Sequence, residues 1–224
     1  MSLNISKLGK ILKTLNRLSI VEFNSSLPVK VEVKKEINPI TYLIKLGNKE
    51  TETKSHIPLK VGKKYFAQIK EMKHSIQITN LKPYPKLLET IESIPLKKGF
   101  IEFKKDEIIN NMINAKDKNE FLFFSNILLA LDKKIYHFAI NDEKKALIQF
   151  KYSKNRVLFY AVFMNLGEIE GEINEYKAII SSSYENVLNL IKMYENEIDL
   201  NIETFLKQPK VLYQFNDKLI DLKV

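Results

Sequence analysis

The sequence predicts an α+β protein. The expected architecture is a small N-terminal β-barrel, a helical linker and a C-terminal, mostly antiparallel sheet covered by an amphipathic helix. Three observations lead there. Apolar and polar residues alternate with period two across residues 27–80. Pro83, Pro85 and Pro95 and helical spacing then occupy residues 82–132. Period two returns from Lys133 and yields to one helical pattern near the end. The expected divisions are residues 1–81 (an N-terminal helix with a small basic barrel), residues 82–132 (a Pro-marked linker) and residues 133–224 (an α+β domain).

Residues Ile5 to Leu18 open the chain as a helix, because Leu8, Ile11, Leu12, Leu15 and Leu18 recur at spacings of three and four with lysines between. A membrane-surface helix would fit that pattern, but no aromatic anchor precedes Phe23. Packing of this helix on its own barrel is the expectation. Leu27 to Val33 alternates as a strand should, Asn38-Pro39 marks a turn, Thr41 to Leu46 is a second strand, and Gly47-Asn48 reads as hairpin punctuation. Lys64 to Lys70 and Ser75 to Thr79 complete four or five short strands, the size of an OB-like or SH3-like barrel.

Lys86 to Ile94, Asp106 to Ala115 and Asn119 to Leu131 are expected helices. The last is apolar on nearly all sides, so it must lie between two surfaces or serve as a contact element. Five strands follow over Ile135–Ile140, Ala146–Tyr152, Val157–Met164, Gly167–Ile173 and Tyr176–Ser181. A helix over Glu185–Ile198 and a strand over Leu200–Phe205 close the pattern.

Composition narrows the function classes. The 224 residues include no cysteine, which removes disulfides, thiolate metal sites and cysteine nucleophiles. No apolar run approaches the roughly 18 residues a membrane span needs, and Lys7, Lys10 and Lys13 interrupt any signal-like core. A cytoplasmic location is expected. The net charge of +9 is lopsided: residues 1–80 hold 15 Lys+Arg against 6 Asp+Glu, whereas the remainder balances. Such asymmetry suggests an acidic partner for the first segment, and a Lys-rich composition accounts for only part of it.

Few residues carry obvious chemistry. The six glycines form no phosphate-cradling loop. His56, His74 and His137 lack ligand spacing, and His137 reads as an ordinary strand histidine. Glu168, Glu170 and Glu172 alternate on one strand face and could hold a divalent cation or act as a carboxylate pair. A solvated strand face with Ile169 and Ile173 inward is the expected reading. Ser181-Ser182-Ser183 reads as a strand-to-helix turn with Ser183 as the N-cap. Lysines interleave with rings at Lys63-Lys64-Tyr65-Phe66 and at Tyr42-Leu43-Ile44-Lys45, a pattern suited to single-stranded nucleic acid. Against it, Tyr65 and Phe66 must point to opposite faces, and Arg17 and Arg156 are the only arginines. No metal, cofactor or catalytic residue is expected.

The run Met164-Asn165-Leu166-Gly167-Glu168-Ile169-Glu170-Gly171-Glu172-Ile173 resembles the C-terminal domain of flagellar hook-length control proteins. In that family a strand ends in a Leu-Gly pair, and two strands, an amphipathic helix and a last strand follow. Upstream, Tyr42 to Gly47 and Ile57 to Tyr65, with the Leu59-Lys60-Val61-Gly62 turn, are similar to the small β domain of such proteins. The family's proline before the Leu-Gly pair is absent. Its long Pro/Ser/Gln-rich ruler region has no counterpart in these 224 residues. The resemblance therefore implies the switch role, in which a folded protein contacts the cytoplasmic domain of the export gate's specificity-switch subunit. It is compatible with export through the flagellar apparatus. The partner-binding residues it suggests are Leu166, Gly167, Glu168 and Glu170, and the alternative, nucleic-acid binding by the barrel, would use Lys63 and Lys64.

Overall fold

The computed structural model describes residues 2–20, 27–72, 75–198 and 200–217. His74 and Phe23 lie outside them. A closed five-stranded barrel comprises β1 (Val29–Asn38), β2 (Thr41–Leu46), β3 (Lys49–Lys54), β4 (Lys64–Met72) and β5 (Ser75–Pro83). Its order is β1-β2-β3-β5-β4, with β4 pairing back to β1 and only β3 and β5 parallel, an order of the OB type. Val31, Val33, Tyr42, Ile44, Leu59, Ala67 and Ile78 fill it as a core of its own.

The strand β3 has no hydrophobic pattern to announce it. Its residues, Lys-Glu-Thr-Glu-Thr-Lys, are polar throughout, and only Thr51 and Thr53 turn inward. Closure of the barrel makes it a strand. Gly62, at φ +79°, forms the turn into β4 that the Leu59–Gly62 run predicts, with the Lys63 amide donating to the Lys60 carbonyl at 3.1 Å.

The rest of the chain builds one seven-stranded sheet, β12-β11-β10-β9-β8-β7-β6. Its strands are β6 (Gly99–Glu102), β7 (Tyr136–Asn141), β8 (Lys145–Ser153), β9 (Arg156–Phe163), β10 (Gly167–Ile173), β11 (Lys177–Ser182) and β12 (Asn201–Leu206). All neighbours are antiparallel except β11 and β12, which are joined through α5 (Glu185–Met193) and α6 (Glu195–Ile198). The expected single helix over Glu185–Ile198 thus breaks at Tyr194.

The structure corrects two expectations. Helix α1 (Ser2–Ile20) packs on β9, β10 and α6, not on the barrel. Its apolar stripe, Leu8, Ile11, Leu12, Leu15 and Leu18, joins the sheet's core at 2% exposure or less. The reason is visible in β8 and β9, which are apolar on both faces and need a covering layer on each side. A lone helix after β11 covers only part of one face. That stripe is therefore spent on the sheet's core. Nor are residues 82–132 a linker. Leu87, Leu88 and Ile91 of α2 (Lys86–Ser93), Ile108 of α3 (Lys105–Ile113), and Phe123, Phe124 and Ile127 of α4 (Lys118–Asp132) all belong to the sheet's core, and β6 is its edge strand. The prolines set corners in a packed layer: Pro85 is the N-cap residue of α2 at φ −61°.

Register assigns the two faces. Gln149 pairs with His137 and Tyr160, and Tyr160 pairs with Glu170, so these four share a face. The other face carries Phe138, Phe150, Phe159 and Gly171. It is covered by α1 and by α5 with α6 over the β9–β12 half.

Candidate binding surfaces

The Leu166-Gly167 pair sits where the sheet meets the barrel. Leu166 is fully enclosed, and Gly167 has φ +71°. A Cβ on Gly167 would lie 3.2 Å from the Tyr184 ring and 3.9 Å from that of Phe66 in β4. The positive φ requires glycine at this strand junction, and the neighbouring rings leave little room besides. Both residues are structural, with no surface to give a partner.

The glutamate row is not a solvated strand face. Residues 207–217 run across it as a strap. Glu168 accepts from the Tyr160 hydroxyl at 2.5 Å and from Gln208 Nε2 at 3.1 Å. Glu170 takes the Lys210 amide at 2.5 Å and Lys207 Nζ at 2.6 Å, and Glu172 pairs with Arg156 at 2.8 Å. Burial raises the Glu168 carboxyl above its ordinary range, and the hydrogen bonds from Tyr160 and Gln208 pull the other way. Burial and the adjoining Glu168 charge push the Tyr160 phenol strongly upward. Ser183 is not the helix cap: its hydroxyl meets Gln208 Oε1 at 3.0 Å, and Tyr184 holds the N-cap position of α5 without a side-chain bond.

Two buried amides hold the strap farther along. Gln149 donates to the Tyr213 carbonyl at 2.8 Å and accepts from the Tyr213 amide at 3.0 Å. Asn126 of α4 does the same for Asn216, at 2.9 and 2.8 Å. Each side chain mimics a neighbouring strand, satisfying both backbone groups of one residue that has no ladder. Phe215 packs between Phe123 and His137, with ring centroids 5.8 and 5.6 Å away. His137 itself is enclosed, 3.1 Å from Gln149 Nε2, and burial lowers its imidazole to about 3. It is a neutral core group at ordinary pH. Nothing in the sequence marks Gln149 and Asn126 as anchors except that each is polar in an apolar run.

The barrel does not present the aromatic–lysine platform its sequence suggests. Tyr42 is inside the barrel core, and Phe66 is buried at the seam, 4.7 Å from the Tyr84 ring. The Tyr65 hydroxyl accepts from the Lys60 amide at 3.1 Å. Lys64 is held by Glu89 at 2.7 Å, and Lys63 is exposed. The outward residues of β2 and β3, the usual oligonucleotide face of such a barrel, are Thr41, Leu43 and Lys45 opposite Lys54, Glu52 and Glu50. That face has no ring and balanced charge. The basic excess of the first 80 residues is also divided, because in α1 Lys7 donates to the Glu175 backbone carbonyl and Arg17 pairs with the Glu197 carboxylate of the sheet unit.

Among the described residues, two open apolar surfaces stand out. On the β6–β8 part of the face whose other half α1, α5 and α6 cover, Phe100, Phe138, Tyr136 and Tyr152 form a shelf over the buried Phe150. Phe138 and Phe150 stack at 4.8 Å, and Tyr136 stacks on Phe150 at 5.2 Å. Phe100 is 60% and Tyr136 38% exposed. The second surface is at the barrel's end, where Ile37, Ile40, Ile57 and Val61 face outward. A cavity of about 500 Å³ opens beside the strap, between Lys64, Lys86, Glu89, Asn119, Asn126 and Asp217. Its charges pair with one another, Lys64 with Glu89 and Lys86 with Asp217. Among the described residues no group of three His, Asp or Glu side chains could hold a metal ion, and no helix is long and apolar enough to cross a membrane. No known family, characterised protein or solved structure matches the chain.

Proposed function

We propose that the chain is a non-enzymatic binding protein of the hook-length-control kind, one that contacts the cytoplasmic domain of the flagellar export gate's specificity-switch subunit. The observation that supports this reading is the order of elements after Arg156. Strand β9 leads into the Leu166-Gly167 turn, with Gly167 at φ +71°, and β10, β11, the α5–α6 helical segment and the final strand β12 follow. The resemblance implies the same order. Because the Leu-Gly turn and the glutamate row are engaged internally, the contact surface in this reading is the aromatic shelf. Exposed rings on an otherwise covered sheet supply the large, rigid apolar area that protein interfaces use.

The test is titration calorimetry of the full chain against that purified gate domain. Saturable heat is expected from the wild type, and Phe100→Ser with Tyr136→Ser should weaken binding by roughly tenfold or more, the scale of losing interface aromatics. No heat from a wild-type chain shown to be folded by circular dichroism would reduce the resemblance to a shared fold.

A further inference from the structure

The barrel meets the sheet unit through the β2–β3 turn and through residues of β1, β4 and β5, among them Lys30, Phe66 and Asn80. Strand β2 runs from the β1–β2 turn to Leu46, and Leu46, Gly47 and Asn48 line a cavity with Met164 and Asn165 of the sheet unit. The Asn38–Thr41 turn is at the other end of the β1–β2 hairpin from that cavity. There the last five residues of β1, Lys34 to Asn38, are all exposed, so the hairpin projects beyond the barrel core.

Apolar residues crown this projection. Ile37 is 46% exposed, Ile40 49%, and Ile57 59%. Ile40 and Ile57 come from different loops but are tied through Ser55, which is itself buried. The Ser55 amide donates to the Ile40 carbonyl at 2.9 Å, and its hydroxyl donates to the Ile57 carbonyl at 2.7 Å. The Asn38 side chain accepts from the Ile40 amide at 3.1 Å and fixes the turn. Ile40 and Ile57 are thus fixed by a hydrogen-bonded frame beside Ile37, where turn chemistry alone would favour polar residues. Exposed lysines surround them: Lys35 on the hairpin stem, Lys54 opposite Thr41, and Lys60 and Lys63 on the second loop, against Glu36 and Glu52.

We infer that this end of the barrel docks on an anionic lipid surface, with the isoleucines entering the headgroup boundary and the lysines meeting lipid phosphates. The convex, aliphatic and unaromatic crown favours lipid over the other polyanions. A nucleic acid offers no apolar phase for isoleucine and would be met by rings. A deformable lipid layer accepts convex apolar tips and adds attraction for each lysine. The inference does not depend on the export-gate reading, since the aromatic shelf belongs to a different surface.

The experiment is sedimentation of the full chain with phosphatidylcholine vesicles, with and without phosphatidylglycerol. Binding is expected to the phosphatidylglycerol vesicles alone, and to fall as salt rises. The triple change Ile37→Ser, Ile40→Ser and Ile57→Ser should lower it by about tenfold, and Lys54→Glu with Lys60→Glu should lower it by a similar factor. Both variants alter exposed positions, and thermal melting is expected to match the wild type. No sedimentation with anionic vesicles, or equal sedimentation with neutral ones, overturns the inference. So does a folded isoleucine variant that binds like the wild type. An oligothymidylate that binds the wild type and the isoleucine variant equally, in the absence of vesicle binding, assigns the lysines to nucleic acid instead.

Discussion

The barrel and the sheet unit solve the problem of enclosure in opposite ways. The barrel closes on itself: its strands are contiguous in sequence, its edges pair around a ring, and seven small or medium side chains with Tyr42 among them suffice as a core. The sheet has two open edges and central strands that are apolar on both sides, so it collects its covering layers from far away in sequence. Helix α1 comes from before the barrel, α2 and α4 from just after it, and the strap from residues 207–217. A locally closed element can be read from its own segment. An element that recruits non-local cover cannot, and its stability depends on residues that sequence order assigns elsewhere.

The strongest way to break this contrast is to charge the buried stripe of α1. Ile11→Asp with Leu15→Asp places two carboxylates in the sheet core, where the native side chains are fully enclosed. The cost should exceed about 4 kcal/mol, since lost burial adds to the penalty of an unpaired charge. Native-state hydrogen exchange locates the damage. Protection should fall in β9 and β10, which α1 covers, while amides of β2, nearer in sequence, keep theirs. Loss confined to the barrel would show that α1 serves its sequence neighbour after all.

The strap gives an intermediate test. Gln149→Leu is close in shape, yet it strands the amide and carbonyl of Tyr213 in a buried place. At roughly 1–3 kcal/mol for each unsatisfied group, the loss should be roughly 2–6 kcal/mol in chemical denaturation. Gln149→Glu should be poorer than Gln149→Asn, because a buried carboxylate keeps the acceptor but loses the donor. A Gln149→Leu chain as stable as the wild type would show that the strap covers the sheet without being part of its core.

What is legible in the sequence follows the same division. Alternation marks β1, β2, β4, β5 and β10, because period two is the pattern of a strand with one buried face, and apolar runs of strand length between polar junctions mark the others from β7 to β12. Two strands escape both patterns. Lys49–Lys54 is a strand by closure, with threonines where a core residue would be recognised, and Gly99–Glu102 is four residues long at an edge. The apolar runs Ala146–Phe150, broken only by Gln149, and Val157–Phe163 do announce a sheet buried on both faces. That signal, taken seriously, demands more helices than the one after Ser182, and α1, α2 and α4 are the apolar helices to hand. The role of Glu168 and Glu170 is not legible, because their partners lie 40 residues on, in a segment with no periodic pattern.

Glycine at the junction of the two units sharpens the comparison most finely, with the smallest expected effect. Gly167 and Gly47 both have positive φ, at +71° and +56°, and both end a hairpin strand or begin the next. They differ in surroundings. Gly47, in the barrel's β2–β3 hairpin, has open space where a Cβ would sit, whereas at Gly167 the Tyr184 ring stands 3.2 Å away. Gly47→Ala should therefore cost only the left-handed backbone penalty, about 1 kcal/mol. Gly167→Val carries the same backbone strain in a β-branched residue, roughly 1–3 kcal/mol, and must also displace a ring in the main core. Because Phe66 of the barrel is the next neighbour at 3.9 Å, the second substitution should loosen the seam as well as the sheet. Exchange protection is expected to drop in β10 and at the Phe66 end of β4, with β2 and β3 unaffected. If Gly167→Val and Gly47→Ala prove equally costly and equally local, the seam does not transmit strain, and the barrel and sheet touch there without depending on each other.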